Sequence, residues 1–249
     1  MMTFNEFESF LKISFPDVTP DMMERFRLMD SGYREWNAKI NVISRKDIDG
    51  LYDHHVLHSL AIAEYLRTRR PETYSSFIAP ASANEPRNVS KHSVASVSSS
   101  AFEEERSCIK VLDLGTGGGF PGIPLAIMFP NVRFTLCDSV GKKTIVAREI
   151  SNMLGLENVV IVNARAESLH ETFDFVVSRA VATLTDFYPW VKGKYSRSIL
   201  YLKGGDINEE ICELMTREHL RRGTVSTWPV TSWLPDAYFD GKFVIDISR

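Results

Sequence analysis

The chain has 249 residues, of which 44% are hydrophobic and 24% charged, and a formal net charge of −3. That length can bury one good core and at most a small second unit. The near-neutral charge excludes a global basic field, so any nucleic-acid contact must come from a local patch. Three scattered cysteines, Cys108, Cys137 and Cys212, argue against a disulfide framework or a zinc ribbon. Residues 1–15 mix acidic and apolar side chains, with no pattern of a signal peptide or membrane span, and the cytoplasm is the expected compartment. In chain order, residues 3–14 read as a short amphipathic helix with Phe4, Phe7, Phe10 and Leu11 on one face, ended by Pro16. Thr19 caps a second helix, with Pro20 at its first position. Its stripe is Met22, Phe26, Met29, Tyr33, Trp36 and Ile40, spaced for core packing. Gly32 is a weak point within it.

Residues 41–49 (N-V-I-S-R-K-D-I-D) form a polar, partly basic turn. A third helix is expected over 48–66, carrying His54, His55 and His58. His54 and His58 share a helical face, but no further Cys or His cluster completes a ligand set, so no metal is expected. One histidine should face a ligand cleft and the others solvent. From 68 to 107 the composition turns to Ser, Ala, Asn, Pro and Glu, with few large apolar residues. Such a segment buries too little surface to offset its ordering entropy. The expected organisation is therefore an N-terminal helical unit (1–67), a flexible low-complexity insertion (68–107) and an α/β domain (108–249).

The α/β domain opens on C-I-K-V-L-D-L-G-T-G-G-G-F-P-G, residues 108–122. A short branched apolar run, a glycine turn and an apolar segment opened by prolines read as strand, loop and helix. Glycines let the backbone approach a ligand and turn a helix N-terminus toward it. A dinucleotide fingerprint needs a third glycine where Phe120 stands. The pattern D-x-G-x-G-x-G over 113–119 is similar instead to Rossmann-type S-adenosylmethionine-dependent methyltransferases. Strand two, 133–138, ends in Asp138, placed to accept hydrogen bonds from ribose hydroxyls. A helix over 141–154 should turn Ile145, Val146, Ile150, Met153 and Leu154 inward. Strand three, 159–163, leads into A-R-A-E, where Glu167 could accept from an adenine amino group and the Ala166 N–H could meet a ring nitrogen. Strand four, 173–178, ends in S-R-A (Ser178, Arg179, Ala180). Strand five covers 198–203, a helix 207–220, and the runs 223–230 and 242–248 read as a closing antiparallel pair. These make seven strands, mostly parallel.

W-N-A-K-I-N, N-V-I-S-R-K-D, H-H-V-L-H-S, G-T-G-G-G-F-P-G-I-P, D-S-V-G-K-K and S-R-A occur in this order. Together they resemble the bacterial ribosomal RNA small subunit methyltransferase G (GidB) family over nearly the whole chain outside 68–107. The resemblance implies a Rossmann-like fold, S-adenosyl-L-methionine as cofactor, and methyl transfer to N7 of one guanine in 16S ribosomal RNA, free or in a small-subunit particle. By the family's motifs the cofactor contacts fall on Gly115, Phe120, Ala166, Glu167 and Arg179, and the strand reading adds Gly117 and Asp138. Two positions depart from the family pattern: Ile43 stands where Thr is usual and His58 where Asp is usual.

Guanine N7 offers an in-plane lone pair and carries no proton, so its alkylation needs alignment in a dry pocket and no general base. No catalytic residue is assigned. Asn41, Arg45, Lys46 and His55 are the RNA-side candidates, and a monomer is expected. Two other classes fit the same glycine turn: a non-catalytic nucleotide-binding regulator, and an NAD-dependent oxidoreductase, against which Phe120 argues.

Overall fold

Seven strands make one sheet: β1 (Lys110–Leu114), β2 (Arg133–Asp138), β3 (Val159–Asn163), β4 (Phe173–Arg179), β5 (Tyr195–Gly204), β6 (Val225–Pro229) and β7 (Lys242–Ser248). Their order in the computed structural model, which describes residues 1–79 and 108–249, is β3-β2-β1-β4-β5-β7-β6. The first five are parallel, and β7 runs antiparallel to both β5 and β6. The expected mixed sheet with its closing antiparallel pair is present. Central strands are covered on both faces, as parallel strands must be, and their residues alternate between two apolar layers. Val111, Phe175, Val177, Leu200 and Leu202 face one layer. Leu112, Leu114, Val176, Ile199 and Tyr201 face the other.

The first layer is closed by α1 (Phe4–Ser14), α2 (Pro20–Lys39), α3 (His58–Arg69), α4 (Pro71–Ile78), α5 (Gly122–Met128) and α6 (Gly141–Met153). The second is closed by α7 (Leu184–Val191) and α8 (Ile207–Arg217). Local chemistry starts the early helices where the sequence indicates. Thr3 and Glu6 form a reciprocal capping box, and Thr19 Oγ1 accepts the Met22 N–H, satisfying amide donors that have no partner within the helix. The N-terminal helices share one continuous core with the sheet. A partly buried ion pair adds a polar tie: Asp246 on β7 accepts from Arg70 and from Tyr65 Oη, both at 2.8 Å.

Four local expectations are corrected. Helix α3 runs past residue 68 and α4 follows at once. Tyr74 and Phe77 are buried, and Phe77 meets Phe129 and Phe175 edge-on at 5.0 and 5.1 Å. The insertion therefore cannot begin at 68, and its remainder, 80–107, lies outside the described residues. The expected regular helix from 48 is instead a 3₁₀ turn, Ile48–Gly50, then a π-helix, Leu51–Leu57, before α3. On α6 the inward residues are Thr144, Val146, Ala147, Ile150 and Ser151, while Ile145 and Met153 are exposed. Gly32 is a contact rather than a weakness, since a Cβ there would come within 2.9 Å of Ile150 Cδ1 and closer still to Met153. Among the described residues no helix is long and apolar enough to cross a membrane.

Candidate functional site

The strand order reverses beside β1: the chain proceeds to β2 and β3 on one side, then returns to β4 on the other. Loops leaving the carboxyl ends of strands at such a point diverge and open a crevice. A cleft of about 410 Å³ lies there. It is lined by Leu114 and Gly115 after β1, Asp138 at the end of β2, Ala166 and Glu167 after β3, and Arg179 at the end of β4. Five of the seven residues expected at a cofactor thus converge, while Gly117 and Phe120 lie outside the lining.

The glycine turn is held from below and behind. Gly115 adopts φ +76°, which an L side chain resists, and its N–H donates to Cys137 O at 2.7 Å. The Gly117 N–H donates to Asp138 Oδ2 at 2.9 Å and the Val140 N–H to Oδ1 at 2.8 Å. Asp138 therefore organises two loops and presents its remaining lone pairs to the cleft. Asp113 is fully buried, and its Oδ2 accepts from Thr116 Oγ1 at 2.6 Å and from the Gly122 N–H at 2.8 Å. Burial pushes its pKa up to about 7, against the pull of those two donors.

The N-terminal helices complete the turn. Tyr33 Oη on α2 donates to Gly118 O at 2.8 Å. Buried Asn37 accepts from the Val42 and Ile43 N–H groups at 2.8 and 2.9 Å and donates to Ile43 O at 2.9 Å, shaping the 41–44 turn. Val42 then lies where a Cβ on Gly118 would be, 2.7 Å away.

Phe120 is buried and forms a floor rather than a wall. Tyr33 packs on it at 4.8 Å and His55 at 5.5 Å, and the Arg179 guanidinium lies 5.1 Å from its ring centroid. Arg179 Nη2 meets His55 Nδ1 at 3.3 Å. A guanidinium only donates, so Nδ1 accepts and Nε2 carries the ring proton, donating to Asp47 Oδ2 at 2.7 Å. The other oxygen, Oδ1, meets His54 Nδ1 at 2.5 Å. Burial and the neighbouring Arg179 pull the His55 pKa down to about 4, against the opposing pull of Asp47. For Asp47 burial raises the pKa, but the hydrogen bonds of His54 and His55 outweigh it and the net shift is downward.

The expected RNA-side residues separate into two groups. Asn41, Arg45 and Lys46 are exposed on the turn beside the glycine loop. His55 spends both ring nitrogens inside the protein. The histidines expected in solvent are not there. His54 stacks on Tyr238 at 3.6 Å, and buried His58 lies against Phe239 with its pKa held well below the usual value by burial. Ile43 and His58, the two departures from the family pattern, are both buried and so do not face RNA.

Sequence reasoning missed Lys143, Arg165, Val181 and Trp190 in the lining. Lys143 sits in the D-S-V-G-K-K motif and Arg165 in A-R-A-E, and their place in motifs that follow strand ends was the available signal. Trp190 lies on α7, a helix masked in the sequence by the internal Pro189. Acidic Asp138 and Glu167 with basic Lys143, Arg165 and Arg179 give a lining of both signs. That donor set suits a nucleoside carrying a zwitterionic tail.

The chain matches the family model described as "rRNA small subunit methyltransferase G" over residues 81–232. It is 43% identical over 83% of its length to the ribosomal RNA small subunit methyltransferase G of Christiangramia forsetii, covering 84% of that protein. To the protein of the same name from Flavobacterium psychrophilum it is 38% identical over 94% of each chain. A solved SAM dependent methyltransferase from Aquifex aeolicus aligns with 56% of this chain and 81% of its own, at 18% identity and TM-score 0.43.

Proposed function

The chain belongs to the rRNA small subunit methyltransferase G family, and from that premise we propose how its cleft serves S-adenosylmethionine-dependent methylation of N7 on one guanine of small-subunit ribosomal RNA. The observation that carries the reading is the cleft of mixed charge at the β1/β4 switch point, flanked by an exposed basic turn. Family membership sets aside both the regulator and the oxidoreductase. Where a third glycine would be needed for a dinucleotide, Phe120 is buried beneath Arg179.

Asp138 and Glu167 are the acceptors for ribose hydroxyls and the adenine amino group, and Arg179 and Lys143 hold a carboxylate. Gly115 gives the backbone its close approach, Gly117 ties the turn to Asp138, Ala166 offers its N–H, and Phe120 supports Arg179 from below. S-adenosylmethionine, when bound, supplies an electrophilic sulfonium methyl. The protein's part is alignment and exclusion of water. It needs no base, because N7 has no proton to lose. Methylation leaves positive charge on the guanine, so added cations beside it would raise the barrier. Burial keeps His55 and His58 neutral at pH 7, which limits the positive charge at the cleft. Asn41, Arg45 and Lys46 meet phosphate and sugar of the RNA, in the cytoplasm, as free 16S RNA or in a small-subunit particle.

The test is to incubate the protein with S-adenosylmethionine and either unmodified 16S RNA or small subunits, then map the RNA by mass spectrometry. One added methyl, on one guanine and cleavable by N7-specific chemistry, is expected. Methylation at another atom, or none on either substrate, refutes the reading.

A further inference from the structure

Asp47, His54 and His55 form a polar chain from the exposed 41–47 turn to the side of the cleft, and the π-helix makes it possible. Neighbouring residues on an α-helix point about 100° apart, so two adjacent histidines do not naturally reach one carboxylate. The wider π turn over Leu51–Leu57 brings both to Asp47. π-turns are rare and cluster at functional sites, and this one is fitted to its partner. A Cβ on Gly50 would lie 2.6 Å from His54 Nδ1 and 3.1 Å from Asp47 Oδ1.

We propose that Asp47 and His55 are positioning residues that orient the Arg179 guanidinium in the cofactor cleft. Among the described residues Arg179 has no carboxylate partner. Its side-chain hydrogen bond goes to His55, and its flat face is set by Phe120. A direct carboxylate would orient the arginine and also neutralise it. A neutral imidazole orients it and leaves its charge available to an anionic group of a ligand. Asp47 makes the imidazole a good acceptor by fixing the Nε2–H tautomer, as a carboxylate does for a histidine that must present its other nitrogen. Asp47 is itself placed by its N–H donating to Ser44 O at 2.8 Å and by its carbonyl accepting the Gly50 N–H at 3.0 Å. The inference rests on the reading of the cleft as a cofactor site.

Two variants test it. Asp47→Asn replaces one oxygen by an NH₂, which only donates, and removes the negative charge that favours the Nε2–H of His55. His55→Phe keeps ring packing on Phe120 and offers Arg179 no acceptor. The readouts are the Kd of S-adenosylhomocysteine by calorimetry, the kcat and KM for S-adenosylmethionine, and imidazole ¹⁵N spectra. In the wild type at pH 7, His55 should be the neutral Nε2–H tautomer. Both variants should weaken S-adenosylhomocysteine binding about tenfold, the scale of one charged hydrogen bond, and raise the KM for S-adenosylmethionine more than they lower kcat. Should Asp47→Asn fail to fold, His55→Phe decides alone. Wild-type affinity in a folded variant, or a protonated or Nδ1–H His55, overturns the positioning role. A wild-type protein that does not bind S-adenosylhomocysteine overturns the cofactor reading beneath it.

Discussion

Replacing Gly115 by alanine tests the glycine turn at its tightest point. Two costs can be separated from the structure. The residue sits at φ +76°, and holding an L residue in that region costs about 1–2 kcal/mol. Its new Cβ would also meet Val181 within 3.1 Å at Cγ1 and nearer at Cγ2. The Val181 backbone is anchored, since its N–H donates to Tyr201 Oη at 3.0 Å and Ala182 beside it does so at 3.1 Å, and its Cβ would lie 3.3 Å from the new methyl, so turning the side chain relieves only part of the contact. Forcing a methyl into such a contact costs roughly 1–3 kcal/mol. The sum, about 2–5 kcal/mol, is a large part of typical domain stability but leaves the protein folded. Gly155→Ala is the control: it has φ +60° with nothing within 4 Å of a Cβ, so it carries the conformational cost alone. Urea unfolding should place Gly115→Ala below Gly155→Ala by about 1–3 kcal/mol at equal m-value. Since Val181 lines the cleft, calorimetry should also show S-adenosylhomocysteine bound at least about tenfold more weakly by Gly115→Ala, and normally by Gly155→Ala. Equal stabilities, or an unchanged Kd for Gly115→Ala, refute the reasoning.

Asp113→Asn should change the pH dependence of stability with a defined sign. The folded pKa of Asp113 is raised from 3.8 to about 7, so its stabilising contribution is complete below about pH 4 and is lost as pH rises through 7. His55, lowered to about 4, has the opposite slope between about pH 4 and 6.5, where the unfolded chain binds the extra proton. The asparagine can keep both bonds made by Oδ2. Its stability relative to wild type, read from urea midpoints, should therefore climb between pH 4 and 7 by up to roughly 4 kcal/mol, and a parallel pair of curves sinks the assignment. The double change Arg45→Ala with Lys46→Ala removes two exposed cations without touching the cleft lining. It should leave S-adenosylhomocysteine binding intact, weaken RNA methylation and make the salt dependence of RNA binding shallower by about one to two units, and an unchanged slope would show the turn to be solvated.

Where a residue's structure is set by its near neighbours in the chain, the sequence is readable. Thr3 and Thr19 start their helices as local caps, the branched runs at 110–114 and 133–138 become strands, and Lys242–Ser248 emerges with the expected bounds. Gly115 and Asp138 reach the cleft as a glycine turn and a strand end, both local signals, whereas Arg179 is legible only through the family's motif. Where partners come from far along the chain, the reading fails. Helix α4 owes its order to Phe77 packing on Phe129 and Phe175, and nothing in its Ser- and Thr-rich sequence announces those rings. The π-helix that brings both His54 and His55 to Asp47 is an arrangement that propensity does not encode. Gly32 has its meaning only beside Ile150 and Met153, on a helix more than a hundred residues later.

The same distinction bears on what the N-terminal helices are for. Read from sequence, residues 1–67 form a unit attached to a methyltransferase domain, with RNA contact as their work. In the fold they brace the glycine loop that adjoins the cleft. Tyr33 accounts for the Gly118 carbonyl, and burial pushes its hydroxyl pKa well above the usual tyrosine range, so it stays protonated and donating. Asn37 shapes the turn that seats Val42 on the same glycine. The basic side chains of that turn and the glycine loop therefore share two supports, Tyr33 and Asn37, on one face of α2. A buried hydroxyl or amide removed from these positions would leave a carbonyl or an N–H without its partner, at about 1–3 kcal/mol, and would loosen the glycine loop and the exposed basic turn together. The arrangement couples the glycine loop beside the cleft to the exposed basic turn through one face of α2.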